Sequence, residues 1–393
     1  MFSGRILQAD AVRVAVVDGF PDAIDALARR AAGGRCFLRA AWFRAAAGAC
    51  GGRTILATRA DGSLVAAIPT VELGPSIVGA RTVPGSYWPF RSVLIAEDAH
   101  PCELAQLFDD SRARSLLTPM WRVGPVYRDD PALDPLERAA AEAGWTVLTR
   151  PLGTGWLLDL AAMIAGEGWP RKSTRQRLAK YERQLGQSGE VRFRTVTGAE
   201  WSDAVFADLA AIESNSWVGK TTDGSGAKFL NPGQRALWRS ATRDPEIARA
   251  LSATILHVGE TPVAFSFDLR SGDLQYGIAS SFDERFAAAR PGKIVTWRQL
   301  GWAADEGVRT VDLGAGDSGY KREMGATAGP EIVDLLIVRS RSMARLISLK
   351  WGEESPLGRD VFRATARKRP DLGRFLEPVI AAGVLAATLA VVE

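Results

Sequence analysis

The 393-residue chain is 47% hydrophobic and 24% charged, with a net charge of +4. That is the composition of a soluble globular protein too long for one ordinary core, and so small a charge neither demands nor excludes a polyanionic partner. Three cysteines without metal-type spacing and two histidines, His100 and His257, argue against a histidine-based metal site or a Ser-His-Asp triad. Carboxylate, Tyr, Lys or backbone groups are left to carry the chemistry.

At the N-terminus a short apolar run is broken by Arg13 and Asp18, so no signal-peptide core is read there. Val12 to Val17 reads as a strand, Asp22 to Ala32 as an Ala-rich helix, and Ala40 to Ala47 as a second helix. Arg53 to Arg59 and Leu64 to Leu73 flank Asp61-Gly62, a hairpin signal. After the loop VPGSYWPF come a strand (Ser92 to Ile95), a helix (Glu103 to Ser111) and a strand (Leu116 to Val123). A helix (Pro131 to Ala143) and a strand (Trp145 to Thr149) complete the unit, and the punctuation at Pro151 to Gly155 marks a boundary.

Trp156 to Leu160 reads as the next strand, and Ser173 to Gln176 as a capping box that opens a helix. Leu178, Tyr181 and Leu185 form its apolar stripe. Arg175, Arg177, Lys180 and Arg183 form a basic face, open to solvent or to a phosphate. Then follow a strand (Val191 to Val196), a helix (Ala199 to Glu213), the segment Glu213 to Lys220 and a helix (Pro232 to Thr242). Strands at Leu251 to Val258, Thr261 to Leu269 and Leu274 to Ala279 lead on, and Ile332 to Val338 is expected to close this second half. Both halves run strand, helices, meander, helix, strand, which suggests a structural duplication.

The stretch Ser281 to Gly325 organises the second half. Ile294, Trp297, Leu300 and Ala304 recur at helical spacing with Gly301 on the same face, Gly307 stops the helix, and Val311 to Leu313 reads as a buried strand. A helix start favours acidic residues, yet Arg290 and Lys293 add positive charge. That fits a bound anion such as phosphate, or two solvated side chains on a turn. Gly314-x-Gly316-x-x-Gly319 matches a dinucleotide loop and the glycine-rich loop of methyltransferases, but too little helix follows before Gly325 for either.

Arg290-Pro291-Gly292-Lys293, the helix to Glu306, the strand at Val311 to Leu313 and Tyr320-Lys321 fall in the order of the GNAT acyltransferase superfamily. One Gly stands where the superfamily's phosphate loop usually has two. That short form, with Asp312, Gly316-Asp317, and Glu213-Ser-Asn-Ser-Trp217, resembles the CelD-type, FemAB-like tandem branch associated with polysaccharide production. The resemblance covers roughly residues 10 to 340 and is strongest over 170 to 326. It implies an α/β (α+β) chain of two tandem GNAT-like domains, residues 1–152 and 153–340, each a mixed, mostly antiparallel sheet flanked by helices. A helical tail, 341–393, follows.

The resemblance also implies acetyl-CoA (acyl-CoA) as co-substrate, no metal, and a phosphate seat at Arg290, Gly292 and Lys293. Glu213 and Asp283 are the candidate bases, Tyr320 the candidate acid toward the leaving thiolate, and Lys321 the oxyanion or phosphate group. Trp217 is the candidate substrate-binding aromatic. The expected reaction is direct acyl transfer to an amine on a small, sugar-linked or lipid-linked acceptor, in a cytoplasmic setting. Aminoacyl transfer from tRNA and a non-catalytic scaffold in an exopolysaccharide complex are the alternatives. Pro378 to Val392 carries no charge, but as a helix it would span only about 22 Å against a hydrocarbon core of about 30 Å. It reads as a buried or partner-packed segment, with membrane association through the basic stretch upstream as the alternative.

Overall fold

The computed structural model describes residues 11–31, 33–85, 90–166, 169–221, 226–316 and 319–368. Two compact units divide the chain: Met1–Gly153 together with Pro330–Glu393, and Thr154–Gly329. In chain order the strands begin with β1 (Arg13–Asp18), β2 (Arg53–Thr58), β3 (Leu64–Glu72), β4 (Arg81–Thr82) and β5 (Leu94–Ile95). Next come β6 (Met120–Tyr127), β7 (Thr146–Asp159), β8 (Val191–Thr197), β9 (Leu251–Val258) and β10 (Thr261–Ser271). The last are β11 (Leu274–Phe282), β12 (Thr310–Ala315), β13 (Thr327–Val338) and β14 (Glu353–Glu354).

In the first unit, β1, β2 and β3 form an antiparallel meander. At its hairpin tip the Asp61 carboxylate accepts the Ser63 N–H at 2.9 Å, and Gly62 supplies a φ of 85°. β3 pairs β4, β4 runs parallel to β6, and β13 lies between β6 and β7. The expectation that Ile332 to Val338 closes the second half is therefore corrected, since these residues pair antiparallel with β6. The reason is burial. Met120, Trp121, Val123 and Val126 of β6 are fully enclosed, and a strand so enclosed needs both backbone edges paired.

The segment after β13 also belongs to the first unit and is not a separate tail over its described length. The helix Arg341–Ser348 seats Met343, Ala344 and Ile347 against Leu148, Leu336 and Val338. β14 pairs β7, and Ser355 donates its hydroxyl to the buried Glu137 carboxylate on α1 (Leu133–Glu142). Pro378 to Val392 lies outside the described residues.

One ion cluster ties these strands together. Asp334 of β13 is fully buried and accepts from Arg122 of β6 and from Arg150 of β7, the latter at 3.0 Å. The Arg150 guanidinium also lies 4.8 Å from the ring centre of Trp351. Removing the carboxylate strands two guanidinium groups in a low-dielectric site, and such losses cost about 3–5 kcal/mol. Asp334→Ala is expected to lower the unfolding free energy of the first unit by that order in urea titration.

The second unit carries the sheet order β12, β11, β10, β9, β8, with Gly155 to Asp159 of β7 on the outer side of β12. Alternation sends Phe265 and Phe267 of β10 to one face, where they meet Phe229, Trp238 and Trp201 at ring distances of 5.0–5.8 Å. α3 (Asp203–Asn215) adds Phe206 to this layer. On the other face, α4 (Pro291–Asp305) packs Ile294 and Val295, and α2 (Lys172–Leu185) packs Leu185, on Leu256, Val258 and Ala264. Leu178 and Tyr181 complete the expected stripe of α2. The capping box is not used: Arg171 is already the extended N-cap, with no side-chain cap bond, so Ser173 falls inside the first turn. Among the described residues no helix is long and apolar enough to cross a membrane.

Candidate active site

β11 and β12 pair in parallel for only three residues, Leu274 with Thr310, Gln275 with Val311 and Tyr276 with Asp312. Beyond that, β11 bonds β10 as far as Phe282, while β12, paired with β7 on its other edge from Thr310, continues that pairing at Ala315 with Gly155. The two strands therefore part. A Cβ at Gly277, where they separate, would come within 3.2 Å of the Asp312 carbonyl, so a glycine permits the last close approach.

Side chains satisfy the backbone that the parting exposes. Asp312, buried, accepts the Gly314 N–H at 2.7 Å. Lys321, 4% exposed, donates to the carbonyls of Gly314 and Ala315 at 2.9 and 2.8 Å. The structure thus places Lys321 as a clamp on the end of β12, with two of its three N–H bonds held by carbonyls. Tyr320, its neighbour, opens α5 (Tyr320–Glu323) and is 41% exposed. A helix this short cannot be the cofactor helix of a nucleotide fold, which settles the reading of the glycine-rich loop; positions 317 and 318 lie outside the described residues.

α4 starts at the wide end of the opening. Arg290 caps it with φ 50° and ψ 47°, the one non-glycine residue with positive φ among those described. Such a backbone costs about 1–2 kcal/mol in an L-residue. It lets one residue end the turn Glu284–Ala289 and begin the helix Pro291–Asp305. No acid occupies the first turn, and the Gly292 amide has no intrahelical acceptor. A Cβ on Gly292 would stand 3.1 Å from the Phe282 ring. Lys293 reaches to 3.8 Å from Glu323 of α5, which brings the cationic corner and the Tyr320 turn together.

The expected carboxylates do other work. Glu213, 3% exposed, accepts backbone N–H groups of Lys228, Phe229 and Leu230 at 3.0, 2.7 and 2.7 Å, and so anchors that loop. Asp283 caps the Arg285 N–H and forms a two-pronged pair with its guanidinium. Burial pushes the Asp283 carboxyl up, but the hydrogen bonds and charge of Arg285, with a smaller pull from Lys220, hold it below the usual carboxylate range. Lys220 pairs Glu284 at 3.0 Å, so the segment after Glu213 is tied to the turn after β11. Trp217, at the head of that segment, is 53% exposed, and so no core aromatic.

Sequence spacing missed a chain of buried polar groups beneath α4. Asp268 accepts from Ser266 at 2.8 Å and from Gln275, and Gln299 of α4 donates to Gln275 at 3.4 Å and accepts from Thr254. All five are buried. The one available signal was an Asp within the apolar strand Thr261–Ser271. Burial pushes the Asp268 carboxyl up to about 7, against the opposing hydrogen bonds of Ser266 and Gln275. The folded state therefore holds a proton that the unfolded chain releases near pH 4. Its stabilising contribution is complete below that pH and is lost as pH rises toward 7, by about 1.4 kcal/mol per pH unit at most. Urea unfolding should show wild type losing stability relative to Asp268→Asn between pH 5 and 7.5, with little further change above pH 8.

Among the described residues no cluster of His, Cys, Asp and Glu could hold a metal ion. Residues 172–322 match the family model of the acetyltransferase (GNAT) domain. No curated protein matches the chain by sequence. Among solved structures, FemX aligns at TM-score 0.54 and 8% identity over 84% of this chain and 99% of its own. L-PGS from Bacillus licheniformis aligns at 0.51 and 15%, covering 88% and 97%. The C-terminal domain of an assigned lysylphosphatidylglycerol synthetase from Agrobacterium fabrum gives 0.51 and 15%, over 84% and 93%. At these identities the likeness speaks for the fold.

Proposed function

We propose that this chain, a GNAT-superfamily acyltransferase of FemAB-like fold, transfers an acyl group directly from acyl-CoA to an amine on a sugar-linked or lipid-linked acceptor. The observation that carries this reading is the parting of β11 and β12 beside the acid-free start of α4. A thioester arm fits between two strand ends whose backbone is not paired across the gap. Its pyrophosphate falls at Arg290, Gly292 and Lys293, where the Gly292 amide N–H, the helix dipole and two cations all favour an anion.

The amine nitrogen attacks the thioester carbonyl carbon, the C–S bond breaks, and the thiolate sulfur takes a proton from the Tyr320 hydroxyl. The proton shed by the new amide nitrogen passes through water to restore Tyr320. Glu213 and Asp283 act through position, by holding the loop at 228–230 and the turn after β11, and Lys321 holds the end of β12. Trp217, exposed at the head of its segment, offers the acceptor an aromatic face.

Isothermal titration with acetyl-CoA tests the donor site. Wild type is expected to bind, and Gly292→Asp with Lys293→Glu to weaken binding at least about tenfold, the worth of roughly 1.4 kcal/mol. Tyr320→Phe is expected to keep donor affinity while kcat falls about 10²-fold. A wild type that fails to bind acetyl-CoA sinks the proposal. A second reading, aminoacyl transfer from tRNA, is favoured by the exposed Lys172, Arg175, Arg177, Lys180 and Arg183 of α2. It requires tRNA affinity that drops steeply with salt and with charge reversal on α2.

A further inference from the structure

A cavity of about 600 Å³ lies along α4, walled also by α2, β8 and the turn at Trp169-Pro170. That volume is within the roughly 300–1,000 Å³ of small-molecule sites. It takes no residue from β11, β12 or α5, so it is not the opening proposed for the thioester. Three half-buried indoles, Trp169, Trp297 and Trp302, present their rings to it. Trp169 and Trp297 stand 5.9 Å apart at 43°. Gly301, one turn after Trp297, leaves the floor open, since a Cβ there would touch only the Trp169 ring, at 3.9 Å.

The polar groups of this wall are mixed in sign. Glu182 and Asp305 line the cavity, and neither forms an ion pair among the described residues. Arg298 lies 4.3 Å over the Phe193 ring. Two carboxylates and one guanidinium thus border an aromatic surface. An organic cation would match the carboxylates and the rings but face the Arg298 guanidinium. An anion would match the guanidinium but face two carboxylates. A pyranose ring meets all of them, since its C–H face lies on an indole while its hydroxyl rim both donates and accepts.

We propose that this cavity is a saccharide-binding site that grips one glycosyl ring at a distance from the reacting groups. Its role is to hold a sugar-bearing molecule on the second unit, independently of the acyl donor.

Saturation-transfer NMR with cellotetraose and with chitotetraose, in the absence of any acyl donor, tests it on the full chain. At least one saccharide is expected to bind saturably. Gly301→Leu, which fills the floor and favours the helix, should weaken that binding tenfold or more. Glu182→Gln and Asp305→Asn should each weaken it severalfold, and they carry the test if leucine at 301 disturbs packing. Acetyl-CoA titration of the same variants is expected to match wild type, so loss of the saccharide is distinguishable from failure of the donor site. The proposal falls if neither saccharide binds wild type, if binding survives the floor-filling and carboxylate variants, or if tetramethylammonium is retained and the saccharides are not.

Discussion

A β-strand that leaves its neighbour must still pair its backbone, and the second unit is arranged around how β12 does so. After three parallel rungs, β11 and β12 pair no further among the described residues. Asp312 takes the Gly314 N–H, and Lys321 takes the next two carbonyls. Because side chains satisfy these groups, no further strand is needed there and the gap stays available. The residue before this clamp is Tyr320, which stays exposed.

The first unit meets the equivalent problem differently. There a strand, α1 and a strand follow one another as β6, α1 and β7, yet β13 occupies the place between the two strands. Arg122, Asp334 and Arg150 lock it in place. A gap filled by a strand and an ion cluster is closed. The asymmetry between the units is thus a matter of what pairs the backbone between two strands: side chains in one case, a third strand in the other.

Local features were legible in the sequence because local physics decides them. The apolar spacing of Ile294, Trp297 and Leu300 and the Gly307 stop defined α4, and Asp61-Gly62 defined its hairpin. The basic corner at Arg290 and Lys293 was visible as charge at the wrong end of a helix. What escaped was set by partners distant in sequence. Asp334 meets Arg122 across 212 residues, and Gln299 meets Thr254 across 45. Glu213 resembled a catalytic base by its place at a helix end, but three N–H groups 15 to 17 residues later occupy its carboxylate. The Ser173 capping box failed because the preceding turn had already extended Arg171.

The placement of β13 also orders the chain's birth. Thr154–Gly329 is continuous, whereas Met1–Gly153 must wait for the segment that follows it. At about 5–20 residues per second, the roughly 200 residues from Gly153 to Trp351 take about 10–40 s to synthesise. Over that interval β6 has one unpaired edge, and Arg122 and Arg150 have no Asp334 between them. The half synthesised first is completed last. Its exposed strand edge is what a chaperone at the ribosome would have to shield, while the continuous unit, Thr154–Gly329, can fold at once.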